Sequence, residues 1–133
     1  MAETIQASYA GCVEDIESAY EFQLAYAAQG RETEPTGPDG VAVRPFVTRL
    51  SVGLGAVGAA AAEAAAPLGP DAAAFARRIA EDAARARQAV DLALSVPNLS
   101  SQLIDNLNAS VHLRTLLTDL FLFDEVLKAA RRG

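Results

Sequence analysis

The sequence predicts an all-α fold, an antiparallel four-helix bundle that dimerises through its C-terminal helix, and three observations lead there. Hydrophobic residues make up 51% of the 133-residue chain, yet only 6% are aromatic. Much of the rest is alanine, the strongest helix former and a weak source of burial. Large apolar residues recur at spacings of three and four in four segments, without strand-like alternation or internal repeat. Proline and glycine separate those segments. This length fits one domain with one core, residues 1–133.

In the first segment, about Glu3 to Gln29, Ile5, Tyr9, Val13, Ile16, Tyr20, Leu24 and Ala27 form a stripe at helical period. Phe22 and Tyr26 fall off that stripe, which gives the end of this helix a second apolar side. Gly30 stops the helix. The stretch Gly30–Val43 has no periodicity and exceeds the usual helix–helix connection, so it is expected as a flexible surface loop. Pro45 opens the second helix, whose core line is Phe46, Leu50, Leu54, Val57, Ala61 and Ala64. Pro67, Gly69 and Pro70 end it and start a third, with Asp71 in the first turn. Its core line is Phe75, Ile79, Ala83, Ala86, Val90 and Leu94. A break at Ser95–Asn98 leads to the last helix, capped by Ser100 or Ser101 and ending in Lys128, Arg131 and Arg132.

That last helix, Ser100 to Arg132, carries more large apolar residues than any other segment. On a helical projection they divide into two faces. Ile104, Leu107, Val111, Phe121 and Leu122 lie on one side and are assigned to the domain's own core. Leu113, Leu116, Leu120, Phe123 and Leu127 lie nearly opposite and are assigned to a homodimer interface, bordered by Phe22 and Tyr26.

A net charge of −6 argues against a nucleic-acid partner, since binding phosphate backbones takes a basic footprint. The arginines at 77, 78, 85 and 87 alternate with Glu81 and Asp82 and read as a solvated face of i,i+4 pairs. A single cysteine, Cys12, rules out an intrachain disulfide and reads as a small hydrophobe. The N-terminus has no secretory pattern, and the apolar window Leu50–Leu68 is too rich in alanine and glycine to read as a membrane span. A cytoplasmic protein with no membrane partner and no cofactor is the expectation.

Two patterns could carry chemistry. Gly53, Gly55 and Gly58 match G-x-G-x-x-G, but a dinucleotide site needs a strand on either side, and here the helical stripe runs straight through. Close helix packing is the better account. His112, the only histidine, shares a helix side with Asp105, Asn108 and Asp119. A metal or ligand site would join His112 and Asp119 to Glu14, Glu17 and Glu21 on the first helix, with Tyr20 nearby. The paired Glu-x-x-His signature of di-metal bundles is missing, because Ala109 stands three residues before His112. No serine sits in a G-x-S-x-G turn. The reading is therefore a non-enzymatic interaction module that binds another protein in a regulatory, adaptor or chaperone-like role. The alternative is a small-molecule or metal-binding bundle, perhaps an enzyme, built on His112 and the helix-one carboxylates.

Overall fold

A computed structural model describes residues 2–35 and 42–133 of the chain. These residues form five α-helices: α1 (Ala2–Ala28), α2 (Arg44–Ala65), α3 (Pro70–Leu94), α4 (Ser101–Asn108) and α5 (Val111–Arg132). A 3-10 turn, Ala66–Leu68, follows α2, and no strand occurs among the described residues. The all-helical expectation holds. The segment expected as one last helix is two, because the backbone leaves helical geometry at Ser110, with φ −56° and ψ 126°.

Local chemistry accounts for the ends. Gly30, at φ 65°, supplies the left-handed turn after α1. Gly69 takes φ 100° immediately before α3, and proline occupies the first turn of both α2 and α3. Ser100 caps α4, its hydroxyl accepting from the Leu103 N–H at 3.1 Å.

Residue pairings across the seams run in opposite order along neighbouring helices. Phe22 meets Phe46 while Ile16 meets Gly53, so α1 and α2 are antiparallel. Asp91 meets Ser51 while Ala80 meets Gly58, and α2 and α3 are antiparallel too. Phe75 stacks on Phe123 from α3 to α5. The α4 helix packs mainly on α1 and α5 mainly on α3, while Tyr9 of α1 donates to the Leu120 carbonyl of α5 at 3.3 Å.

Core lines fit the expectation best on α2 and α3, where Leu50, Leu54, Val57, Ile79 and Val90 are buried. On α1 the buried line turns after Ile16 to Ala19, Gln23 and Tyr26, leaving Leu24 half exposed. The polar Gln23 hides that line in the sequence. The side chain of Ile5 and residues 36–41 of the expected loop lie outside the described residues.

The stretch Arg44–Leu68 is long and apolar enough to cross a membrane by length and composition. Half of its most apolar window is buried inside the fold, as a core helix would be. Its glycines serve packing. A Cβ on Gly53 would lie 2.9 Å from Ile16, and one on Gly58 would lie 2.8 Å from Ala80. Gly55 is covered by the guanidinium of Arg87. Backbones therefore approach closely here, with no phosphate cradle.

Candidate functional site

The helix α5 organises the chemistry of the surface, and its two faces are the reverse of the sequence assignment. Leu113, Leu116, Leu120, Phe123 and Leu127, expected at a dimer interface, are buried within the chain itself. Phe22 stacks on Phe46 at 3.9 Å between ring centres. Tyr26 is buried and donates to the Leu99 carbonyl at 2.6 Å, so it borders no outer seam, while Phe22 is partly buried. Val111, Phe121 and Leu122, expected in the core, are more than half exposed. The break at Ala109 and Ser110 is the physical reason. Ile104 and Leu107 are buried as expected, but they belong to α4, and the turn resets the rotation of every residue after it.

Of the metal or ligand candidates, His112 is exposed on the first turn of α5, and Glu14 and Glu21 are exposed on α1. Glu17 is partly covered; burial, with Asp124, Glu21 and Glu14 close by, pushes its carboxyl up. Among the described residues no three His, Cys, Asp or Glu side chains gather closely enough to hold a metal ion. The proposed set of His112, Asp119, Glu14, Glu17 and Glu21 is not assembled. Cys12 is half-buried, and burial and Asp15 push its thiol up, which keeps it from being a ready nucleophile.

The structure does pair one of these candidates with a residue the sequence reading left on the surface. Asp82 is 9% exposed and faces Asp119 across the α3–α5 seam. Burial, then hydrogen bonding to Asp82 and the charge of that residue, push the Asp119 carboxyl up to about 7, with Arg78 opposing. The contact is a hydrogen bond only while one carboxyl keeps its proton. With both ionised, two acceptors meet, and the buried Oδ2 of Asp119 has no donor. Arg85 holds Asp82 Oδ1 from the solvent side at 3.1 Å. The expected solvated Arg78–Asp82 pairing is thus replaced by Arg85–Asp82, with Asp82 turned inward.

Two hollows meet beside this pair. One, about 600 Å³, is walled by Leu68, Ala72 and Phe75 on the α3 side and by Leu122, Val126 and Ala129 on α5. The other, about 420 Å³, is lined by Arg78, Asp82, Thr115 and Asp119. Asp71 and Phe75 belong to both, so the two form one trough, apolar at one end and acidic at the other.

A polar network closes the opposite part of the molecule. Glu34 binds Arg44 at 2.6 Å and accepts the Leu99 N–H at 2.7 Å. Arg44 also donates to the carbonyls of Leu94 and Val96. Burial works against the charge of Glu34, but Arg44 and the Leu99 N–H hold its carboxyl below the usual carboxylate range. Ser101 donates to the Tyr26 carbonyl at 2.7 Å and accepts the Arg31 N–H at 2.8 Å. Both flanks of the expected free loop are therefore tied down. Compared with known protein families, curated proteins and solved structures, the chain matches none.

Proposed function

We propose that the protein is a non-enzymatic helical interaction module, a cytoplasmic four-helix bundle in which α4 and α5 together fill the fourth position. It acts by pairing with other helices, first of all with a second copy of itself. The observation that supports this reading is the placement of its exposed apolar side chains. Of the seven large ones among the described residues, Val111, Phe121, Leu122 and Val126 all project from α5. Phe121, Leu122 and Val126 lie within two turns of one another, and apolar side chains gathered on one exposed element mark interaction surfaces more often than scattered ones do.

Residues 111, 115, 118, 122, 125 and 129 follow the alternating four–three spacing of a helix-pairing stripe. Arg114 flanks the stripe on the side of its member Glu125, and no ion pair of Arg114 occurs among the described residues. Laid antiparallel on a second copy, the stripe sets Arg114 of each chain beside Glu125 of the other and Leu122 beside Thr118. Such a two-fold contact closes on itself.

Light scattering at low micromolar concentration tests the reading. Wild type should have twice the monomer mass, and Leu122→Glu, within the stripe, should be a soluble folded monomer whose melting temperature falls only by what association contributes. A wild type that stays monomeric as concentration rises would refute the homodimer.

A further inference from the structure

We propose that the trough between α3 and α5 binds a primary amine carried on an apolar body, with the ammonium between Asp82 and Asp119 and the hydrocarbon against Phe75, Leu122 and Val126. The trough shares Thr115, Leu122 and Ala129 with the helix-pairing stripe of α5, so a bound amine and a second copy compete for that wall. The volume and mainly apolar walls of the larger hollow suit a small organic ligand. Its polarity is segregated along its length, so the ligand that fits has one apolar end and one charged end.

The sign of the charge follows from the acidic end. Asp71, Asp82 and Asp119 line it, against Arg78 alone on the same wall. Facing the carboxylate pair are Arg78, Arg85 and Asp71 from α3, Thr115 from α5 and, within electrostatic reach, the Tyr9 hydroxyl from α1. None of these donates to the buried Oδ2 of Asp119. A buried acceptor without a donor is costly. An ammonium brings three donors, enough to bridge both carboxyl groups, where a shared proton supplies one. In the empty trough the pair keeps one proton. When the amine enters as R–NH₃⁺, that proton leaves to solvent and two carboxylates face one cation. No bond within the ligand is made or broken.

Isothermal titration of the full-length protein with decylamine, decanol and decanoate, each below its aggregation concentration, tests this. Decylamine should bind at least about tenfold more tightly than decanol, and decanoate should bind most weakly. From about pH 6 to about pH 8 decylamine affinity should rise about tenfold, because the displaced proton is bound near neutrality. Its binding heat should also change with the ionisation heat of the buffer, the mark of proton release. Asp119→Asn should reduce decylamine to the affinity of decanol and remove the pH dependence. Ala130→Trp, at an exposed wall position outside the helix-pairing stripe, should block all three ligands without altering the melt, and it carries the test if the Asn variant does not fold. Equal binding of decanoate and decylamine would overturn the proposal, as would an amine preference that survives Asp119→Asn.

Discussion

The polar network joining α1 to α4 and the trough between α3 and α5 solve opposite problems with the same side-chain chemistry. In the network, Glu34 Oε1 accepts from both Arg44 and the Leu99 N–H, the Leu99 carbonyl accepts from the Tyr26 hydroxyl, and the Tyr26 carbonyl accepts from Ser101. In the trough a carboxylate meets another carboxylate, and the wall beside it is open and apolar. Satisfied polar groups hold a geometry, whereas unsatisfied ones leave free energy available for a ligand. The first region therefore reads as structure and the second as a site, although both are built from acids and arginines.

The largest effect that can test this contrast lies beneath the trough. Leu120→Glu puts a carboxylate at a fully buried position and should cost more than about 4 kcal/mol, which unfolds the domain. Phe121→Glu, one residue on and half exposed, should leave the thermal melt within about 0.5 kcal/mol of wild type. If the two behaved alike by circular dichroism, the assignment of the α5 faces would fail.

Next in size is the α2–α3 contact. Gly58→Ala drives a methyl group against Ala80 and should lose about 1–2 kcal/mol, overpacking outweighing the roughly 1 kcal/mol gained in helix propensity. Gly11→Ala meets open space and should gain about 0.5–1 kcal/mol instead. Opposite signs in denaturant titrations are the expected result. Tyr26→Phe, which leaves the Leu99 carbonyl without its donor, should cost about 1 kcal/mol.

The remaining effects concern pH, and there the two regions should differ in sign. Asp119 binds its proton more tightly in the fold than in the open chain. Its contribution is complete below about pH 4 and is lost as pH rises through about 7. Glu34 binds its proton more weakly in the fold, so its contribution is present above about pH 4 and is lost on acidification. Urea titrations across pH should show Asp119→Asn flattening the decline toward neutrality and Glu34→Gln flattening the acid limb. One slope common to both variants would remove the distinction between the regions.

How far the sequence reveals this arrangement depends on where its periodicity is interrupted. On α2 and α3, uninterrupted helices, spacing alone identifies Leu50, Val57, Ile79 and Val90 as core. Past Ser110 the same method reverses the faces, because a two-residue break with no proline or glycine rotates α5 relative to α4. Gln23 defeats hydropathy differently: it is fully buried, donating to Asn108 at 2.9 Å. Asp82 hides among arginines whose spacing suggests solvent pairs. The only sequence cue to its partnership is that Asp119 shares a helix side with the large apolar residue Phe123, which itself stacks on α3. That cue cannot be used without knowing which helix lies opposite.

The alanine–glycine contact between α2 and α3 also shapes the response to temperature. Ala60, Ala61, Ala64, Ala83 and Ala86 are buried there in place of branched side chains. Unfolding exposes a methyl group at each of these positions, and alanine regains no rotamer freedom when released. Heat capacity of unfolding follows the apolar area exposed, about 12–15 cal/mol/K per residue in ordinary domains. Calorimetry should place this chain at or below the lower end of that range. Its stability curve is then shallow, changing little over a wide interval of temperature, and it is extended toward the cold.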